Sequence, residues 1–279
     1  MNTPRIIIRN KGLKPIKKLG QTFLEDRNVA SKIIRTLDAG KDDVVVEIGA
    51  GLGIMTEEIA AQAGNVIALE IDSRLVNILK ERFADFPNVE IIQCDVLDFD
   101  FSTVNPVLSV KKLKIIGNIP YNISSQILFR LIHYRSHISK MVLMFQKELA
   151  DRLCAAPGSK EYGIPSVLLD MYTLCTRELN ITKQCFYPQP KVMSSVLNII
   201  IRDEPRVDLK DHDFFVKIVR TVFSKRRKTI LNNLKSLLGH GYSEENITQA
   251  LQLSGIDGGK RGETLSAEEF GILCNVLYR

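Results

Sequence analysis

No run of apolar residues in this sequence approaches the roughly 20 that a membrane helix needs, so no membrane span is expected. An apolar leader segment is missing from the N-terminal stretch, and secretion is not expected either. The five cysteines, at 94, 154, 175, 185 and 274, never come at CxxC spacing. They read as reduced thiols of a cytoplasmic protein, not as a disulfide framework or a zinc ribbon. His133 and His137 stand four apart in HYRSH, but no acidic third ligand is near and HExxH is absent, so no metal is expected. Acidic residues are missing from two stretches. Residues 1–18 carry Arg5, Arg9, Lys11, Lys14, Lys17 and Lys18; residues 220–235 carry Arg220, Lys225, Arg226, Arg227, Lys228 and Lys235. Acid-free basic blocks fit a polyanionic partner, although a solvated arm and a solvated helix face would carry the same charges.

What is present is the composition of a soluble globular protein: 279 residues, 45% hydrophobic and 25% charged, with net charge +6. After the basic arm, residues 28–37 form an amphipathic pattern. Short apolar runs then alternate with helical segments: VVVEI at 44–48, a helix from about 54, VIALE at 66–70, a helix at 73–84, VEIIQ at 89–93, KIIG at 114–117 and MVLMF at 141–145. This alternation predicts an α/β domain with a parallel sheet covered on both faces. VMSSVLNIII at 192–201 reads as a further strand. Beyond Arg202-Asp203-Glu204-Pro205 the pattern is helical, over 211–223, 226–238, 244–253 and 266–278, with Ser266 and Glu269 forming a capping box. The expected division is a basic arm (1–18), an α/β domain (19–203) and a helical domain (204–279).

Three strand ends carry chemistry in series. The first runs into Glu47-Ile48-Gly49-Ala50-Gly51-Leu52-Gly53. Glycines there allow a ligand close to the backbone and present N–H groups to it. The second strand ends on Glu70, placed to accept hydrogen bonds from ribose hydroxyls; the third leads to Asp95, placed to accept from an adenine amino group. A dinucleotide fingerprint would require glycine at position 54, where this chain has Ile54. An adenosine cofactor without a pyrophosphate, S-adenosylmethionine, fits better. Helix capping by Glu70 and Asp95 is the plainer alternative.

The fourth strand delivers Gly117-Asn118-Ile119-Pro120-Tyr121-Asn122. An adenine N6 amine is a poor nucleophile because its lone pair is delocalised into the ring. The Asn118 amide oxygen and the Ile119 carbonyl can accept its two N–H bonds and aim that lone pair at a methyl donor. Pro120 fixes the backbone angle, and Tyr121 stacks on the base. Rate enhancement then comes from orientation and exclusion of water. Cytosine C5 chemistry is disfavoured because no cysteine follows a proline. A duplex base cannot reach such a pocket, so the target is single-stranded or flipped out. Phe186, in Cys185-Phe186-Tyr187-Pro188, is a candidate second stacking wall, with core packing as its alternative.

Taken together, LGQTFLED (19–26), EIGAGLG (47–53), LEID (69–72), GNIPYNISS (117–125), QKELADRL (146–153), YGIPSV (162–167), FYPQPKVMSSV (186–196), SKRRKT (224–229) and RGETLS (261–266) make the chain resemble the rRNA adenine N6-dimethyltransferases, in particular their bacterial small-subunit branch. The resemblance implies a Rossmann-like class I methyltransferase sheet, mostly parallel with an antiparallel last strand, followed by a small helical domain. It implies S-adenosylmethionine as cofactor, contacted by Thr22, Leu24, Gly49, Gly51, Glu70, Asp95 and Asn118. Asn118, Pro120, Tyr121 and Phe186 are then the catalytic set, and Arg226, Arg227 and Lys228 bind RNA. The implied reaction dimethylates N6 of two adjacent adenosines near the 3′ end of 16S rRNA, in the small subunit or its late precursor, by a cytoplasmic monomer. The chain departs from the family at Thr22, where asparagine is usual; a hydroxyl lacks the amide's reach and one of its two donors. The rival expectations are a large-subunit rRNA adenine methylase and a non-catalytic RNA-binding assembly factor.

Overall fold

The computed structural model describes residues 3–104 and 112–278. In chain order its elements are α1 (Pro4–Asn10), β1 (Phe23–Leu24), α2 (Arg27–Leu37), β2 (Val44–Ile48), α3 (Ile54–Gln62), β3 (Asn65–Glu70), α4 (Ser73–Arg82), β4 (Val89–Gln93), β5 (Leu113–Asn118), α5 (Ser124–His133), β6 (Ile138–Gln146), α6 (Lys147–Leu153), α7 (Ile164–Tyr172), β7 (Thr173–Ile181), β8 (Phe186–Tyr187), β9 (Ser194–Ile201), α8 (His212–Val222), α9 (Ile230–Leu234), α10 (Glu244–Leu253) and α11 (Ala267–Leu277). No helix among the described residues is long and apolar enough to cross a membrane.

Contacts divide the chain into two compact units, one running to Ala150 and resuming at Thr176–Ile201, the other built from Asp151–Cys175 and the chain from Arg202 onward. The basic arm joins the first unit, which ends at Ile201, two residues before the expected boundary. The largest difference from the sequence division is that 151–175 belongs with the C-terminal helices. The cause is α7, whose Val167, Leu168, Leu169, Met171 and Tyr172 are buried. Gly271 of α11 has no side chain where Met171 approaches; a Cβ there would stand 3.1 Å from the Met171 methyl.

The first unit is built on a seven-stranded sheet in the order β4-β3-β2-β5-β6-β9-β7. β2 pairs in parallel with β3 and β5, β3 with β4, and β5 with β6, whereas β9 runs antiparallel to β6 with Val196 opposite Met144. This is the mixed sheet with an antiparallel last strand that the family resemblance implies. All five residues of β2 are buried, as a central parallel strand requires. α2 covers the sheet with Ala30, Ile33, Ile34 and Leu37, a one-faced helical stripe that joins Ile59 and Ala60 of α3 and Val45 of β2 in one core. Asp26 caps α2 by accepting from the Asn28 and Val29 N–H groups at 2.9 and 3.1 Å.

The basic arm contains α1, which buries Ile8 against Phe23, Leu52 and Leu75. Arg5 and Lys11 pair with Glu25 (3.4 Å) and Glu81 (3.0 Å). In the second unit, α8, α10 and α11 fall where the apolar period places them. The expected helix over 226–238 is shorter: Ser224–Lys228 form turns, and helix begins only at Ile230, capped by the Thr229 hydroxyl. Four successive cations in one helical turn would repel one another, and Thr229 offers a cap past them. The Ser266–Glu269 capping box is present, with reciprocal bonds of 3.1 and 2.7 Å.

Candidate cofactor and acceptor site

β2 has neighbours on both sides that leave from it in opposite directions along the sheet, which opens a crevice beyond its carboxyl end. Ile48 is paired with Leu69 on one side and Gly117 on the other, so the turns after β2, β3 and β5 emerge at one rim. Gly49 and Gly51 have φ of 72° and 60°, the left-handed region that favours glycine. A Cβ at Gly49 would project to 3.7 Å from the Asn118 carbonyl oxygen, and one at Gly51 to 3.1 Å from the Phe23 ring. The glycine turn and the Asn118 loop therefore lie side by side.

The cavity at this rim is lined by Thr22, Gly49, Gly51, Glu70, Asp95, Asn118 and Pro120 of the expected set, together with Phe23, Cys94 and Asn122. Leu24 lines a smaller cavity with Glu47, Gly49 and Asn118. Glu70 is buried and accepts from the Gly51, Ile71 and Asp72 N–H groups, each at 2.9 Å. Burial raises its pKa against the pull of those donors. Asp95 accepts from the Leu97 N–H at 2.9 Å. Two carboxylates at adjoining strand ends would repel a pyrophosphate, and they suit hydroxyl and amino donors. The glycine cradle and this acceptor set fit an adenosine-type group.

Asn118 ends β5, and its amide is oriented by the protein. Nδ2 donates to the Thr22 carbonyl at 2.7 Å. A carbonyl only accepts, so this bond fixes the amide's sense and leaves Oδ1 as the acceptor. Thr22 thus contributes its backbone to Asn118. The turn after Asn118 is held by the Pro120 carbonyl, which accepts from the Ile123 N–H (3.2 Å) and the Ser124 hydroxyl (2.9 Å). Tyr121 is half-buried, and its hydroxyl lies 2.6 Å from that of buried Ser194, at the start of β9. Burial raises the Tyr121 pKa.

Phe186 is placed elsewhere. β1 and β8 form a short antiparallel ladder with Leu24 opposite Phe186, and the Phe186 ring is fully buried in the sheet–helix core with Ile33, Ile34 and Val196. The core alternative holds for this residue, because pairing with β1 turns it inward; its ring is not part of the cavity wall.

Several side chains at the rim escaped the sequence reading. Glu47, the first residue of EIGAGLG, is buried. Its Oε2 accepts from the Thr56 hydroxyl at 2.5 Å, and Oε1 has no hydrogen-bond partner among the described residues. Burial pushes its pKa up to about 8. Asp72, in LEID, is held near 2 chiefly by hydrogen bonds from the Arg74 side chain. It also accepts from Gln21 at 2.9 Å, and Gln21 in turn accepts from the Ile16 N–H at 2.7 Å. Both acids lie in motifs quoted above; their burial was the missing signal.

In the second unit, Arg226, Arg227 and Lys228 are all exposed. Arg226 pairs with Glu263 at 2.8 Å and also bonds the Lys160 carbonyl. Arg227 and Lys228 make no ion pair among the described residues.

The family model for ribosomal RNA adenine dimethylase matches residues 12–276. The chain is 46% identical over 277 residues to the ribosomal RNA small subunit methyltransferase A of Syntrophus aciditrophicus, covering 99% of each chain. It is 44% identical over 270 residues to the protein of the same name in Geobacter sulfurreducens, covering 97% of this chain and 98% of that one. Among solved structures, a dimethyladenosine transferase from Plasmodium falciparum superposes with a TM-score of 0.79 at 27% identity, covering 90% of this chain and 95% of the other. The 23S rRNA methyltransferase ErmE gives 0.69 at 26% identity, with 91% and 99% covered.

Proposed function

The chain belongs to the ribosomal RNA adenine dimethylase family, and from that premise we propose that it transfers methyl groups from S-adenosylmethionine to N6 of two adjacent adenosines in the 3′-terminal loop of 16S rRNA. It acts as a cytoplasmic monomer on the small subunit or its late precursor. Bound at the rim, the cofactor supplies an electrophilic methyl group on a sulfonium. Everything else is the work of this chain's residues. Glu70 accepts from ribose hydroxyls, with its carboxylate already oriented by three backbone N–H groups. Asp95 accepts from the adenine amino group. The Oε1 of Glu47, buried and without a hydrogen-bond partner among the described residues, is an acceptor for a cationic amino group in the smaller cavity.

Asn118 Oδ1 accepts one N6–H of the target base and the Ile119 carbonyl the other. Because Thr22 fixes the amide before substrate arrives, little reorganisation is needed when the base enters. Tyr121, steadied by Ser194, offers a ring face to the base. Phe186 joins this wall only by leaving the core, so stacking on Tyr121 is the reading this geometry favours. No side chain has to remove a proton ahead of transfer.

The observation that carries the reading is the approach of the Gly49 turn to the Asn118 carbonyl at one rim, where a Cβ on Gly49 would stand 3.7 Å from that oxygen. Asn118→Ala is expected to keep cofactor affinity within about threefold and to lower single-turnover methyl transfer by about 100-fold, the scale of one preorganised hydrogen-bonding group. Transfer near the wild-type rate would refute the role given to Asn118.

A further inference from the structure

We propose that Cys154 and Cys175 form a peroxide-sensitive dithiol site, one that closes to an intramolecular disulfide and reopens with thiol reductant. Their sulfurs lie 3.1 Å apart in the reduced protein. That is about 1 Å longer than a disulfide bond of ~2.05 Å, so small side-chain rotations close the gap. Both thiols are partly exposed, which gives an oxidant access. Cys274 is buried, and Cys94 and Cys185 are partly exposed; these three are built-in controls in the same chain.

The position of the pair in the chain gives the cross-link a consequence. Cys154 follows α6 directly, and Cys175 lies near the start of β7. They flank the stretch that the helical unit draws from the middle of the chain, Asp151–Cys175, which carries α7. A disulfide would tie the two ends of that stretch together. It would thereby restrict the unfolded chain, the usual route by which disulfides stabilise.

The reaction balances with a peroxide as two-electron oxidant. One thiolate attacks a peroxide oxygen, breaking the O–O bond, to give a sulfenic acid with release of water or an alcohol. The second sulfur displaces the sulfenic hydroxyl, which leaves as water with that thiol's proton, and the S–S bond forms.

The test uses the full-length protein treated with hydrogen peroxide, alkylated, and digested with trypsin without reduction. Cleavage after Arg152, Lys160 and Arg177 places Cys154 in peptide 153–160 and Cys175 in peptide 161–177. Mass spectrometry is expected to find these two peptides joined, and released by dithiothreitol. The count of free thiols in the denatured protein is expected to fall by two. Cys154→Ser is expected to abolish the joined peptide while leaving Cys94, Cys185 and Cys274 alkylated as in the wild type. Independent oxidation of Cys154 and Cys175 to sulfinic acids, or joining of either to another cysteine, would overturn the proposal.

Discussion

Glu47 sits in the centre of the sheet with one carboxylate oxygen bonded to Thr56 and the other without a partner among the described residues. Its pKa, raised by burial from 4.5 to about 8, ties stability to pH. Between these values the unfolded chain has released a proton that the folded chain still holds. Folding stability from this group is therefore full below pH 4.5, falls as pH rises to about 8, and is level above it. Glu47→Gln keeps the shape and removes the titration. In urea unfolding, the stability of the variant relative to wild type is expected to rise by about 2 kcal/mol or more between pH 5 and pH 8. A difference independent of pH would show that Glu47 ionises normally in the folded protein. The placement of Gly49, Glu70, Asp95 and Asn118 around one cavity was legible in the sequence, because the strand pattern itself locates them at strand ends. The inward turn of Phe186 was not, since it depends on pairing with Leu24, far away in the chain. Nor was the Thr22 carbonyl as anchor of the Asn118 amide, because a backbone acceptor leaves no mark on residue type.

Among the elements, the basic stretch at 224–228 is a set of turns ahead of a capped short helix, not the helix its composition suggests. Arg226 is engaged within its own unit, which leaves Arg227 and Lys228 as the members of the expected trio suited to phosphate. Reversing both charges to Glu is expected to weaken RNA binding and to reduce the slope of log affinity against log salt by about 1 to 2, one counterion or slightly less per phosphate contact. Because both side chains are exposed, thermal stability is expected to stay within about 0.5 kcal/mol of wild type. An unchanged salt slope would move the RNA surface elsewhere. The same stretch shows where pattern reading stops. β2 occupies the predicted residues because a central parallel strand is an apolar run, buried along its whole length. β7 went unseen because TLCTRELNI, at the sheet's end, is largely exposed and polar. α7 went unseen for the opposite reason: it is apolar nearly all round, so it has no period to detect.

At the scale of the molecule, sequence pattern located the parallel strands and the C-terminal helices, and the antiparallel last strand came only from the family resemblance. The interleaving of the two units required the packing of α7 to be known. Family membership rests on matches over nearly the whole chain, and both small-subunit and large-subunit rRNA methyltransferases are among the similar proteins. The proposed reaction requires an rRNA adenine as the methyl acceptor and the small subunit as its source. Undermethylated small and large ribosomal subunits, offered separately with labelled S-adenosylmethionine, decide both points when the modified nucleoside is identified. The account predicts label in N6,N6-dimethyladenosine from two adjacent positions near the 3′ end of 16S rRNA. Label in the large subunit, or in any nucleoside other than N6-methylated adenosine, would contradict it.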